Sequence, residues 1–406
     1  MAVTAPTALQ SPRTPQAIFQ MHPFEDDLFL AYMRHRLLHG RAQQTLYLKA
    51  PDKQLAAKCL LALSTTYFGA EHGDFDLVQR GQHQYNEALS DLNMALSNPS
   101  QCRTYDVLES VVVMTIFEFM ASTSEHGWIH HACGLEKLMA LQGPDSFKSL
   151  AALTILEQSQ AIIILAALVL HRSTIFSKDE WKYAPWENHP DRRSDVQDLY
   201  DILADCAELQ VAKDKAHADL MHGKNCDMHQ TVIENVNSLL KQLSQWRCNW
   251  TYEEVPVTKA APNELNAKSD IVPVWNTSYC FNSLHGANGH GLSNAILILL
   301  LRMQRETMAA ADITCPQASD MTKTIYDAGI AICRSVDYHL DHSRVGSGSL
   351  ILQFPLRMAY EAVAVQSPSV ARWIRDVLQD INVGSAGRWS SAKHLLQVGF
   401  RNLSTL

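Results

Sequence analysis

No Cys-x-x-Cys pair occurs anywhere in the sequence; its nine cysteines stand far apart, at positions 59, 102, 133, 206, 226, 248, 280, 315 and 333. That dispersion excludes zinc ribbons, zinc clusters and thioredoxin-type sites, all of which need two thiols close in sequence. An odd number of unpaired cysteines fits reduced thiols in an intracellular protein. Clustered basic charge is missing too. The 34 Lys and Arg residues are scattered among 42 Asp and Glu, for a net charge of −8. Neutralising a phosphate backbone needs grouped cations, so direct sequence-specific binding to nucleic acid is not expected. The longest apolar run, "AIIILAALVL" at 161–170, is half of the roughly 20 residues that a membrane span requires. The opening "MAVTAPTALQSPRTPQ" has no apolar segment of the secretory kind. A soluble chain with no membrane association is expected.

Catalytic signatures are equally scarce. GxxxxGK[ST], HExxH, GxSxG and a strand-led GxGxxG are all absent. "HGANGHG" (285–291) has the wrong glycine spacing for a nucleotide loop and is read as a loop that opens the next helix. Period-two strands, internal repeats and sustained heptads are missing as well.

What is present is helical periodicity, with 47% apolar residues to build an ample core. The spacing predicts helices over 53–69, 78–97, 105–121, 126–142, 148–173, 195–222 and 228–248. After a long surface loop near 250–275, which carries three prolines, helices resume over 291–310, 319–340, 349–365, 368–381 and 386–400. Residues 1–21, rich in Pro, Ser and Thr, predict a disordered tail. The expectation is an all-α fold, with residues 22–406 forming a single large domain of about a dozen helices in packed layers.

The segment "GWIHHACGLEKLMALQGP" (127–144) can be read two ways. His126, His130 and Cys133 share a helical face and are metal-ligating types, but no fourth ligand stands at a recognisable spacing. No metal and no catalytic set are assigned. Trp128, Leu135, Leu138 and Leu141 carry a buried-stripe spacing instead, with Trp128 filling core. Gly134 admits a close neighbouring helix, and Gly143-Pro144 stop the helix. His131 projects toward the Trp128 side, and Glu118 stands in the apolar run "VVVMTIFEFM". A Glu118–His131 contact would satisfy both buried groups.

These residues, taken in order, resemble the fungal-specific transcription factor domain, the regulatory module of fungal zinc binuclear cluster regulators, in its second broad class. The resemblance runs through Glu118, then Trp128, His131, Gly134, Leu138 and Gln142-Gly143-Pro144. It continues through Phe176, Trp181, Pro185 and Trp186 to "LQFPLRMAYEA" at 352–362. It implies a nuclear regulator of transcription, here of a secondary-metabolite gene cluster. No cofactor is implied. Six zinc-binding cysteines usually precede this module and are not found here, so DNA contact is expected through a DNA-binding partner or a homologous regulator. A small apolar effector is a further expected partner. The alternatives are a helical enzyme of fungal secondary metabolism acting on a small apolar metabolite, and an interaction protein that titrates full-length relatives; the alternative location is cytoplasmic.

Overall fold

The computed structural model describes residues 22–37, 54–121, 124, 126–222, 227–256, 275–313, 318–341, 344–383 and 389–394. The fold is all-α, with one small strand pair among the described residues. The N-terminal half comprises α1 (His22–Leu37), α2 (Gln54–His72), α3 (Phe75–Ser97), α4 (Tyr105–Ala121), α5 (Gly127–Gln142) and α6 (Leu150–Val169). Short helical turns follow, among them α7 (Asp179–Tyr183). The C-terminal half comprises α8 (Asp195–Met221), α9 (Asp227–Cys248), α10 (Leu284–Ala310), α11 (Ala318–Arg334), α12 (Val336–His339), α13 (Val345–Val363), α14 (Pro368–Val383) and α15 (Ser391–His394). Helix α2 packs on α1, α3 and α4, and α10 packs on α8, α9, α11 and α13. The halves meet where α6 lies on α8 and α1 on α13, and one continuous hydrophobic core runs through both.

Three parts of the chain depart from the sequence expectation. The glycine-rich stretch 285–291 is helical, forming the first turns of α10. Ser283 caps it, its Oγ accepting from the Gly286 amide at 3.1 Å. A Cβ at Gly289 would stand 2.5 Å from the Trp250 ring, and one at Gly291 would stand 3.4 Å from Pro355. Gly289 therefore admits the Trp250 ring at close range, while a Cβ at Gly291 would make only ordinary contact, and neither breaks the helix. Secondly, strands do exist. Around the 250–275 loop, β1 (Glu253–Pro256) pairs antiparallel with β2 (Thr277–Cys280), Glu253 opposite Cys280. At four residues each they are too short to show alternation. They are fixed from outside: Arg334 donates to the Thr277 carbonyl at 2.9 Å and to Glu254 at 2.7 Å, and its guanidinium lies 4.1 Å over the Tyr279 ring. Thirdly, 319–340 divides at Ser335 into α11 and α12, and 175–192 contains short helical turns. Residues 1–21, most of the 250–275 loop and residues 395–400 lie outside the described residues.

Helix α6 is long and apolar enough to cross a membrane by length and composition, yet 67% of its apolar window is buried inside the protein. Its half-buried residues fall at 157, 158, 161, 162, 165 and 169, one stripe at helical spacing. That stripe faces an internal space.

Candidate functional site

Between α4, α5 and α6 on one side and α8, α10 and α13 on the other lies a cavity of about 1000 Å³. The α6 stripe supplies Ala161, Ile162, Leu165 and Val169 to its wall; α4 and α5 add Ile116, Phe119, Trp128 and Ile129. From the far side α13 contributes Leu350, Ile351, Phe354 and Pro355. Pro355 sits inside α13, where it cannot donate to the helix ladder, and it meets Gly291 of α10 across the cavity edge.

The arginines in this wall are paired with carboxylates of the protein itself. Arg192 forks onto Glu157, with Nη2–Oε2 at 2.5 Å and Nε–Oε1 at 3.3 Å. Arg357 donates through Nε to Glu361 at 2.7 Å, and burial pulls its pKa below the ordinary arginine value. At the rim, His285 meets Asp195 at 2.9 Å. Neutral polar groups complete the lining, among them Gln158, Gln197, Gln353 and Asn288, the last within 3.4 Å of the Tyr200 hydroxyl. Such a space is a mostly apolar pocket with a few placed polar groups, the usual form of a small-molecule site.

Glu118 also lines the cavity, and its partner differs from the expected one. Glu118 and His131 are 4.0 Å apart, with the Tyr85 hydroxyl between them. The hydroxyl lies 2.6 Å from Glu118 Oε1 and 3.0 Å from His131 Nε2. The short contact to a carboxylate takes the single phenolic proton, so the Tyr85 oxygen accepts from His131, which then carries its proton on Nε2. Burial lowers the His131 pKa, against the raising effect of Glu118, while burial and the Glu118 contact raise that of Tyr85. The neutral imidazole, the phenol and the Glu118 carboxylate form one hydrogen-bonded relay. Tyr85→Phe should cost about 1–3 kcal/mol by leaving both partners short of a hydrogen bond. Urea unfolding measures this, and wild-type stability would count against the relay.

The other sequence-singled residues fall as follows. Trp128 is half-buried, stacked on Phe119 with ring centroids 5.0 Å apart, and forms cavity wall where core was expected. Trp128→Ala should accordingly cost about 2 kcal/mol, less than a fully buried indole would. Among the described residues a Cβ at Gly134 would meet nothing within 4 Å, so no described helix approaches there, contrary to expectation. Gly143 adopts φ 78°, ψ 158°, a conformation open essentially to glycine alone, and Pro144 starts a separate turn. Trp181 and Trp186 are buried, at 3% and 4% exposure. Trp181 packs between Phe147 and Phe176. Among the described residues no three His, Cys, Asp or Glu side chains converge to hold a metal, and the Cys133 sulfur faces Arg172 at 3.5 Å. A more deeply buried carboxylate than Glu118 is Glu136, which pairs with Arg172 and accepts from the Ile175 amide at 2.9 Å.

Comparison with known proteins supports the sequence resemblance. An uncharacterized protein of Emericella nidulans (strain FGSC A4) is 29% identical over 153 residues, which is 37% of this chain and 33% of that relative. The match thus spans a third of the relative's length. No solved structure matches the chain. The family profile described as fungal specific transcription factor domain matches residues 28–396, nearly everything from α1 to α15. By that extent of match the chain belongs to the family of fungal specific transcription factor domains.

Proposed function

We propose that the chain is a nuclear regulator of transcription, controlling a secondary-metabolite gene cluster in response to a small, neutral, apolar effector held in the central cavity. Family membership supports the regulatory role. The observation that carries the effector is the wall chemistry: an apolar cavity of about 1000 Å³ whose arginines are already paired with carboxylates. A charged ligand would have to compete with those pairs, whereas an uncharged one only displaces water from apolar surface.

Contact with promoters falls to a DNA-binding partner or a homologous regulator, because a chain of net charge −8 with scattered cations neutralises few phosphates. The purified chain should leave no salt-resistant, site-specific footprint, and observing one would remove the need for a partner. Deleting the gene tests the reading as a whole. A regulator's loss abolishes a set of transcripts. If transcripts stay intact while an intermediate accumulates, the same cavity is a reaction chamber and the chain is an enzyme.

A further inference from the structure

The cavity wall changes character along three helices at once. On α6 it runs from Thr154, Glu157 and Gln158 to Ile162, Leu165 and Val169. On α8 it runs from Ser194 and Gln197 to Leu203, and on α10 from Ser283, His285 and Asn288 to Leu292. Val196 and Leu284 are the apolar lining residues of those first turns. The three polar beginnings meet. Arg192, just before α8, donates to Thr154 and Glu157 of α6; His285 of α10 lies 2.9 Å from Asp195 of α8, and Asn288 lies 3.4 Å from the Tyr200 hydroxyl. Ser194, Ser283 and His285 are exposed, so the cavity opens to water at this end, its mouth. Inward from there, the α6 face from Ala161 to Val169 stays apolar for roughly 12 Å.

The charges at the mouth are already paired, Arg192 with Glu157 and His285 with Asp195. Gln158 is not. It is half-buried on the α6 stripe that faces the cavity, and among the described residues its carboxamide has no hydrogen-bond partner. Neither of its polar atoms is sealed from water. A carboxamide donates and accepts, as a hydroxyl does. On the α4–α5 side of the cavity, by contrast, Glu118 accepts from Tyr85, and Ser124 Oγ accepts from the His126 amide. We propose that the cavity takes elongated, uncharged amphipathic molecules in one orientation: the apolar body lies along α6, and a terminal hydroxyl sits at the mouth, hydrogen-bonded by Gln158 with Asn288 at the same end. This inference rests on the reading of the cavity as an effector site.

Calorimetric titration of the full chain with phenylbutanol and with butylbenzene tests it. The two probes share an elongated apolar body and differ by one terminal hydroxyl. Wild-type protein should bind both, and the ratio of the two affinities is the readout, because the hydroxyl's own hydration enters it equally for every variant. Gln158→Met and Asn288→Leu remove hydrogen-bonding groups at the mouth while keeping bulk. At least one of them should weaken phenylbutanol about fivefold or more, with butylbenzene affinity unchanged. Unchanged butylbenzene binding also shows that the variant retains its cavity. Glu118→Leu, on the other side, should keep the wild-type ratio. If both mouth variants and their double variant keep that ratio, or if Glu118→Leu is the variant that shifts it, the hydroxyl does not sit at the mouth and the inference is overturned. If wild-type protein binds neither probe, the effector reading of the cavity fails first. The two failures are thus distinct.

Discussion

Gly348→Ala should leave almost no folded protein. A Cβ at this position of α13 would lie 2.1 Å from the carbonyl oxygen of His339 and 2.9 Å from its carbonyl carbon. Both are backbone atoms, so no rotamer change relieves the clash, and α12 would have to separate from α13. Two residues earlier, a Cβ on Gly346 would meet the Arg36 carbonyl at 2.2 Å. The start of α13 is thereby pressed against two backbones at once, one from each half of the molecule. Ser347 between them is tied in as well, its hydroxyl donating to the Leu37 carbonyl at 2.5 Å. The expected loss exceeds about 4 kcal/mol, comparable with a domain's whole margin of stability. Soluble yield and urea unfolding report it. Gly134→Ala is the internal contrast: its Cβ meets nothing within 4 Å, so removing a mid-helix glycine should stabilise by up to about 1 kcal/mol. Equal behaviour of the two variants would contradict the packing described for α12 and α13.

Mild acid should be the second large perturbation. His339 is 1% exposed, its Nδ1–H donating to the Ser335 carbonyl at 2.9 Å. His290 is 4% exposed and enclosed by Tyr252, Tyr279 and Phe281, with ring centroids 4.9, 4.9 and 5.2 Å away. Burial, the largest cause, lowers both pKa values from 6.5 to about 4; nearby arginines push the same way, Arg344 for His339 and Arg247 for His290. The unfolded chain therefore binds more protons than the folded one between those two values. The stabilisation is fully present above pH 6.5 and is lost as pH falls toward 4. Each histidine contributes on the order of 3 kcal/mol over that window. Unfolding midpoints measured from pH 7.5 to 4.5 should fall steeply below pH 6.5, and a flat profile would show that the rings are not held neutral.

Much of the fold was legible because each long helix carries its own signal. α3, α4, α5, α8 and α9 begin and end within three residues of where apolar spacing and turn residues placed them. The parts that were not legible depend on contacts distant in sequence. Tyr85 sits in an ordinary amphipathic helix, and nothing near it announces that it bridges Glu118 and His131, 33 and 46 residues away. The glycines at 286, 289 and 291 look like a loop until the Trp246–Trp250 stack, with centroids 4.4 Å apart, is seen beside Gly289 and Pro355 beside Gly291. The cavity is the clearest case. In sequence, α6 is apolar all round, which specifies only burial. Whether the face at 158, 162, 165 and 169 meets side chains or an open space depends on how closely α8 and α13 approach. No local period encodes that distance. Trp128 was misplaced for the same reason: an indole against a cavity and an indole in a core have the same helical spacing.

The effector cavity and the regulatory role are joined most directly by a chromosomal Ala161→Trp allele, read by transcript profiling at matched protein level. Ala161 is half-buried on the α6 stripe, so the indole enters the cavity without displacing a core side chain. If the cavity is the effector site of a transcriptional regulator, genes that depend on the chain become fixed at one level, on or off. They then no longer follow the condition that normally changes them. A wild-type transcript response from a folded, normally abundant Ala161→Trp protein would contradict the assignment.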